Sequence, residues 1–380
     1  MALRVTQHAS LDDPALSADW ERLSDRSPQA SLFTTHAWCV CWAQTLGRHV
    51  EVAVLTVRDD RNETIGLLPA CIERVGGVRW LKQLGRERAC GDHLEPLCAP
   101  NRHNQCLQAL IGYLEHWKDF HGLVLGELAP DSPTLRGVME WATQVSCPFF
   151  QREQRVAPYV DLPETFDRYL AMRSANMRYH VRRRRRNLAK MADVSIQLHR
   201  GVASVDDALT QLFRLHQRRW RHDGQNGVLT DPAKQAFLRR FCRMASRRDW
   251  VRIYQLQESG HTHCVLLAFH WNGTASFYQM GWDPHSPVPS PGVVVMAESI
   301  EQAVRERMTR YDFLRGDEAY KRRWASQSAR LTTLVVGCRW QARAAMAAER
   351  LKDRFKATIL RSLGDAQWQR MKRLAGGLSR

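Results

Sequence analysis

Residues 250–282 read WVRIYQLQESGHTHCVLLAFHWNGTASFYQMGW. Three β-rich runs stand in a row here: 250–257, 263–271 and 274–282. Glu258-Ser259-Gly260 has turn chemistry between the first two. Asn272-Gly273 separates the second from the third, and Asn-Gly is the strongest short hairpin signal because a type I′ turn needs positive φ at both central residues. Runs joined by such short turns form an antiparallel meander. Val265 to Phe269 is apolar without alternation, so the middle strand is expected deep in the sheet.

After the meander comes DPHSPVPSPG (283–292), a loop stiffened by prolines. A helix is expected at about 291–308, with Ser290 as N-cap and Pro291 at N1, and then a short strand at 311–314. The helix start Ser290-Pro-Gly292-Val293-Val294 admits two readings. It is a capped helix after a turn, or a seat for a phosphate, since first-turn N–H groups are unpaired and Gly292 lets a ligand approach. The block YDFLRGDEAYKRRW (311–324) crowds Asp312, Arg315, Glu318, Tyr320 and Lys321 around the exit of an apolar strand. Acid, phenol and amine at that spacing can supply a base, an acid and an anion clamp, or lock a strand end by an Asp–Arg pair.

Upstream, helical patterns cover about 164–172, 174–191, 204–222 and 232–247, the last opened by Asp231-Pro232. Pro158 to Pro163 marks a boundary. Before it lies an α/β unit with little obvious chemistry. It has strands at 50–58, 64–74 and 78–84, helices at 102–119 and 132–145, and a short strand at 122–126.

The net charge is +17 over 380 residues, which points to an anionic partner. It is concentrated: residues 171–190 and 338–380 each carry a net +8. The first includes five consecutive arginines, Arg182 to Arg186, which surround a helix rather than mark one face. They read as a solvated surface or as a contact for an anionic acceptor, tRNA or lipid; DNA is the least supported, since no DNA-reading motif accompanies them. In the second, Ala344, Ala348, Leu351, Phe355, Ile359 and Leu363 share one helical face, with Arg343, Arg350, Arg354 and Arg361 largely opposite. That pattern suits a helix on an anionic membrane surface, or one docked on its own domain with basic residues outward. No secretory signal and no 18-residue apolar run is present, which suggests a cytoplasmic protein, peripheral at the inner membrane face if the tail binds lipid. Ten scattered cysteines form no CxxC, and His261/His263/Cys264 at a hairpin turn read as polar turn residues, so no metal site is expected.

The order of these features resembles the BioF2-like, CelD-type acetyltransferases of the Gcn5-related N-acetyltransferase (GNAT) superfamily, relatives of the FemAB peptidyltransferases. The matching pieces are Ser174-Ala-Asn176-Met-Arg178, Leu215-His-Gln-Arg-Arg-Trp220, Ala275 to Asp283, Ser290-Pro-Gly292 and the 311–324 block. The resemblance implies an α/β (α+β) fold of two tandem GNAT-like domains, each a mixed, mainly antiparallel sheet flanked by helices. The domains are a degenerate one at 1–157 and an acyltransferase domain at 158–337, followed by a basic amphipathic helical tail at 338–380. It implies acyl transfer from acyl-CoA, most simply acetyl-CoA, to an amine or hydroxyl of an anionic envelope or polysaccharide (cellulose-type) precursor. The glycine-rich pyrophosphate turn usual in the superfamily is replaced by SPG, so aminoacyl-tRNA stays open as the donor.

For this chemistry Asp312 or Glu318 is the candidate base and Tyr320 the acid that protonates the leaving thiolate. Backbone at Gln279, Met280 and Gly281, together with Ser290, Gly292, Val293 and Val294, would hold the donor. Arg315 and Lys321 would clamp a phosphate or carboxylate of the acceptor. Asn176, Arg178, Trp220 and Trp324 would shape the acceptor cleft.

Overall fold

The structure, a computed structural model, describes residues 3–352. The N-terminal half runs β1 (Arg4–His8), α1 (Pro14–Arg26), α2 (His36–Ala43), β2 (Glu51–Val52), β3 (Val54–Arg58), β4 (Thr64–Leu68), β5 (Ala70–Val75), β6 (Val78–Gln83), β7 (Leu97–Cys98), α3 (His103–His116), β8 (Gly122–Leu128) and α4 (Pro133–Gln144). The C-terminal half runs β9 (Phe149–Asp161), α5 (Phe166–Ala171), α6 (Ala175–Leu188), β10 (Val194–His199), α7 (Val202–His222), α8 (Pro232–Ser246), β11 (Val251–Glu258), β12 (His261–Trp271), β13 (Thr274–Trp282), α9 (Pro291–Arg305), β14 (Arg310–Asp312), α10 (Ala319–Trp324) and β15 (Gln327–Gly337).

β11, β12 and β13 form the expected meander. Asn272 and Gly273 have φ of 44° and 75°, and Trp271 pairs directly with Thr274 across the tight turn. The unbroken apolar run of β12 follows from cover on both faces. Val265, Leu267 and Phe269 belong to one core, and Leu266 and Ala268 to another. All five are fully buried.

One sheet of 11 strands crosses the whole molecule in the order β10-β11-β12-β13-β14-β9-β15-β8-β6-β5-β2, beside a small sheet β1-β3-β4-β7. β15 pairs antiparallel with both β9 and β8, so the last strand among the described residues sits between the two halves. Pro158, expected to mark a boundary, lies inside β9 instead. Its carbonyl accepts the N–H of Phe313 (2.9 Å), while Asp161 to Tyr159 pair with β14. The halves also share a core. Trp38 of α2 packs edge-on against Phe237 and Phe241 of α8, both with centroids at 4.8 Å, and donates its indole N–H to Gly85 O (3.0 Å).

The tail is helical from 340 to 352, and it docks differently from expectation. Ala342 and Met346 are buried against Val78, Trp80, Val124 and Val335. Ala344 and Ala348 face solvent, with Trp340 74% and Leu351 66% exposed. The guanidiniums turn inward: Arg343 donates to Gly337 O (3.2 Å) and Arg350 to Phe149 O (3.1 Å). Small Ala342 and flexible Met346 pack with Trp80, and the long arginine stems reach strand-end carbonyls, so the apolar stripe read from sequence is left outside. Phe355, Ile359 and Leu363 lie outside the described residues. No described helix is long and apolar enough to cross a membrane.

Candidate active site

β13 is paired along its length with β12, with one irregularity: Leu267 faces Gln279 and Ala268 faces Phe277, leaving Tyr278 as the extra residue of a bulge. On its other side β13 meets the parallel β14 only at Thr274, Ala275 and Ser276. Beyond that point the chain after β14 bends toward β9, and β13 continues alone. The two strands therefore splay, and backbone groups of β13 open into a V-shaped gap instead of a ladder.

A cleft of about 310 Å³ occupies this gap. Phe277, Tyr278 and Gln279 form one wall, and Leu314, Arg315, Glu318, Tyr320 and Lys321 the facing one. Arg86, Glu87, Arg88, Cys90 and Arg155 close it from the N-terminal side. Sequence reading gave the first two walls and missed the third. The loop between β6 and β7 has no periodicity to betray it. Its one local signal is strain: Arg88, Cys90 and His93 all have positive φ (61°, 55° and 54°), a conformation that clusters at functional sites.

Tyr320 is mostly buried against Phe277 (centroids 6.4 Å), and burial, with Glu318 nearby, pushes its phenol well above the usual value, so it keeps its proton. Lys321 is buried. Its ammonium donates to Arg315 O (2.8 Å) and pairs with Glu318 (3.1 Å), whose side chain is half exposed in the cleft. Asp312 is buried outside the lining. Its Oδ2 meets His93 Nε2 at 2.8 Å, and its Oδ1 accepts the N–H of Leu314 (2.7 Å). Burial would lower His93, but the Asp312 carboxylate outweighs this and raises it. With both oxygens engaged, Asp312 is a partner for His93, and the carboxylates that line the cleft are Glu318 and Glu87.

Arg315 is likewise held by its own protein. It pairs with Asp92 (3.0 Å) and Glu127 (2.8 Å), and its backbone N–H donates to Asp92 Oδ2 (2.7 Å). Burial pushes Asp92 up to about 6, against the pull of Arg315 and His93. Arg315 thus lines the cleft with its charge balanced by Asp92 and Glu127, so it positions the wall.

Two of the glycines assigned to the donor have other work. A Cβ on Gly281 would lie 2.5 Å from His216 N and 2.9 Å from Leu212 O, so this glycine admits helix α7 against β13. The free side of Gly292 is filled by Met280, whose Cε lies 3.1 Å from a Cβ built there. Ser290 stands at the N-cap of α9 but is left-handed (φ 57°), and its hydroxyl makes no cap hydrogen bond. The first turn of α9 therefore lacks a side-chain cap, while the N–H of Val293 donates to Ser290 O (3.0 Å).

The remaining expected residues do not meet in the cleft. Asn176 is exposed in the first turn of α6, and Arg178 donates to Arg173 O (2.6 Å). Trp324 is buried, its carbonyl accepting from Tyr169 Oη and Arg173 (both 2.8 Å). Trp220 donates to Nε2 of His216 (3.0 Å), which burial and Arg219 hold neutral by lowering its pKa to about 4. Trp324 and Trp220 thus serve packing beside the site. No group of His, Cys, Asp and Glu able to hold a metal occurs among the described residues.

Residues 175–322 match the sequence profile described as "Acetyltransferase (GNAT) domain". This segment is a GNAT acetyltransferase domain, and solved structures share the fold of the chain around it. FemX superposes with a TM-score of 0.63 at 10% identity, over 88% of this chain and 97% of that one. A conserved protein of unknown function from Bacteroides thetaiotaomicron gives 0.55 at 11% identity, over 88% and 99%. The C-terminal domain of a putative lysylphosphatidylglycerol synthetase from Agrobacterium fabrum gives 0.52 at 11%, over 90% and 95%. At these identities the likeness is one of fold. No curated protein matches in sequence.

Proposed function

We propose that the chain transfers an acyl group from acyl-CoA, most simply acetyl-CoA, to an amine or hydroxyl of an anionic cell-envelope or polysaccharide precursor. The observation that carries this reading is the splay of β13 from β14, with Tyr320, Glu318 and Lys321 gathered on one wall of the gap. The acceptor's lone pair attacks the thioester carbonyl carbon. A C–N or C–O bond forms, the C–S bond breaks, the acceptor's proton passes to Glu318, and Tyr320 gives a proton to the leaving thiolate. Backbone N–H groups of β13 near Gln279, freed from a ladder by the splay, face the developing oxyanion. Lys321 lends positive charge to the same gap. The uncapped turn at Ser290 supports a seat for the donor's phosphates.

A second reading has an aminoacyl-tRNA as donor. It is favoured by Met280 filling the free side of Gly292 and by the missing glycine-rich turn. Calorimetry of the full chain against acetyl-CoA, longer acyl-CoAs and tRNA at two salt concentrations separates the readings. Saturable acyl-CoA binding supports the first, and salt-steep tRNA binding without acyl-CoA binding supports the second. In either case we read the exposed Trp340 and Leu351 as the part of the tail that meets an anionic bilayer from the cytoplasmic side. Vesicle binding that survives Trp340→Gln unchanged dismisses that contact.

A further inference from the structure

Helix α6 holds charge that the cleft does not use. Met177 and Val181, one turn apart, bury its inner face in the core of the catalytic half. Two of its arginines are committed to the protein itself. Arg185 pairs with Glu298 (3.1 Å) and Glu301 (2.5 Å), and Arg178 donates to Arg173 O (2.6 Å). The run of arginines winds round the helix, yet Arg182, Arg183 and Arg186 share its outer face with Tyr179, at i, i+3, i+4 and i+7. All three arginines are exposed, and among the described residues none has a carboxylate within ion-pair distance.

This face is not purely polar. Tyr179 is 58% exposed, and Met172, at the C-cap of α5 just before α6, is 52% exposed. Among the described residues the other exposed large apolar side chains are four valines and Trp340 and Leu351 of the tail, so those larger than valine all lie at the two most basic segments. A solvated face or a phosphate track along RNA has no use for an exposed thioether. A bilayer interface does: guanidiniums meet lipid phosphates while apolar and aromatic groups sit at headgroup level. The positive field continues onto α10. Burial and the guanidiniums of Arg184, Arg183 and Arg323 together depress the His180 imidazole, and α10 carries Arg323 beside Tyr320 and Lys321 of the cleft wall.

We propose that the outer face of α6, with Met172 before it, docks the chain on an anionic bilayer surface. The contact is separate from the tail, and it does not depend on what the cleft transfers. The test is co-sedimentation of the full-length protein, at physiological ionic strength, with vesicles of phosphatidylcholine alone and of phosphatidylcholine mixed with phosphatidylglycerol. Binding of tRNA is measured in the same buffer. The wild type is expected to bind the mixed vesicles and to leave the neutral ones. The triple variant Arg182→Gln, Arg183→Gln, Arg186→Gln, folded by its thermal melt, is expected to bind the mixed vesicles about a hundredfold more weakly, about fivefold for each charge removed. No binding of the wild type to mixed vesicles overturns the proposal. Equal vesicle affinity in wild type and triple variant also overturns it, since the binding then belongs to another surface. If that variant loses tRNA binding while keeping its vesicle affinity, the face belongs to RNA instead.

Discussion

Replacing Glu127 with Gln tests the architecture of the cleft without changing its volume. The wild-type carboxylate is 1% exposed and faces Arg315, Arg155 and Arg86 at 2.8, 3.6 and 4.0 Å. Removing one partner of a buried ion pair typically costs about 3–5 kcal/mol, because the other charge is left uncompensated. Here Arg315 keeps Asp92 and Arg86 keeps Glu87, so the low end applies, about 3 kcal/mol. At about 2–4 °C of Tm per kcal/mol for a chain of a few hundred residues, the midpoint should fall by roughly 6–12 °C. The assay is a thermal melt followed by circular dichroism at pH 7, with Glu87→Gln as the exposed-carboxylate control. A Glu127→Gln melt within about 1 °C of wild type, well under 1 kcal/mol, would refute the claim that this carboxylate holds the wall together.

Three further outcomes follow from the same geometry. Gly281→Ala should lower stability by about 1–3 kcal/mol in urea titration, since the new methyl meets backbone atoms of α7 that cannot swing aside; an unchanged midpoint contradicts the close approach. Tyr320→Phe should cut turnover by about 10²–10⁴-fold if the phenol is the acid, and full activity removes it from that role. Asp92 has a folded-state value raised to about 6, so it favours the fold fully below its unfolded value near 3.8, and that contribution is lost as pH rises through 6. Between those limits the stability difference between wild type and Asp92→Asn should shrink by about 3 kcal/mol as pH rises, and a flat difference would show that Asp92 does not titrate there.

Much of the catalytic half was legible because its signals are local. The Asn272-Gly273 turn, the apolar run of β12 and the proline-led starts of α8 and α9 each lie within a few residues. β9 and β15, which join the halves, were not read as strands. β9 (FFQREQRVAPYVD) is interrupted by charges and by Pro158, and proline normally argues against a central strand. β1, α1, α2 and β10 also went unread, α1 despite an Asp13-Pro14 start like that of α8. The site divided in the same way. Glu318, Tyr320 and Lys321 lie in one block of sequence and do share a wall. His93, Asp92, Glu127 and Arg155 meet that block only through contacts more than 150 residues apart in sequence, which no spacing rule can reveal. Gly281 and Gly292 also admit a helix and a methionine, a packing role that in sequence looks the same as room for a ligand.

The central claim is that the splayed cleft moves an acyl group from a thioester to an acceptor. It is tested most directly by incubating the full-length protein with acetyl-CoA and a panel of phosphorylated and carboxylated amino sugars, and following the acceptors by mass spectrometry. The account predicts enzyme-dependent appearance of an acetylated anionic acceptor with matching release of CoA, lost in Tyr320→Phe. No acyl transfer from acetyl-CoA or longer acyl-CoAs, together with transfer from an aminoacyl-tRNA under the same conditions, would contradict it.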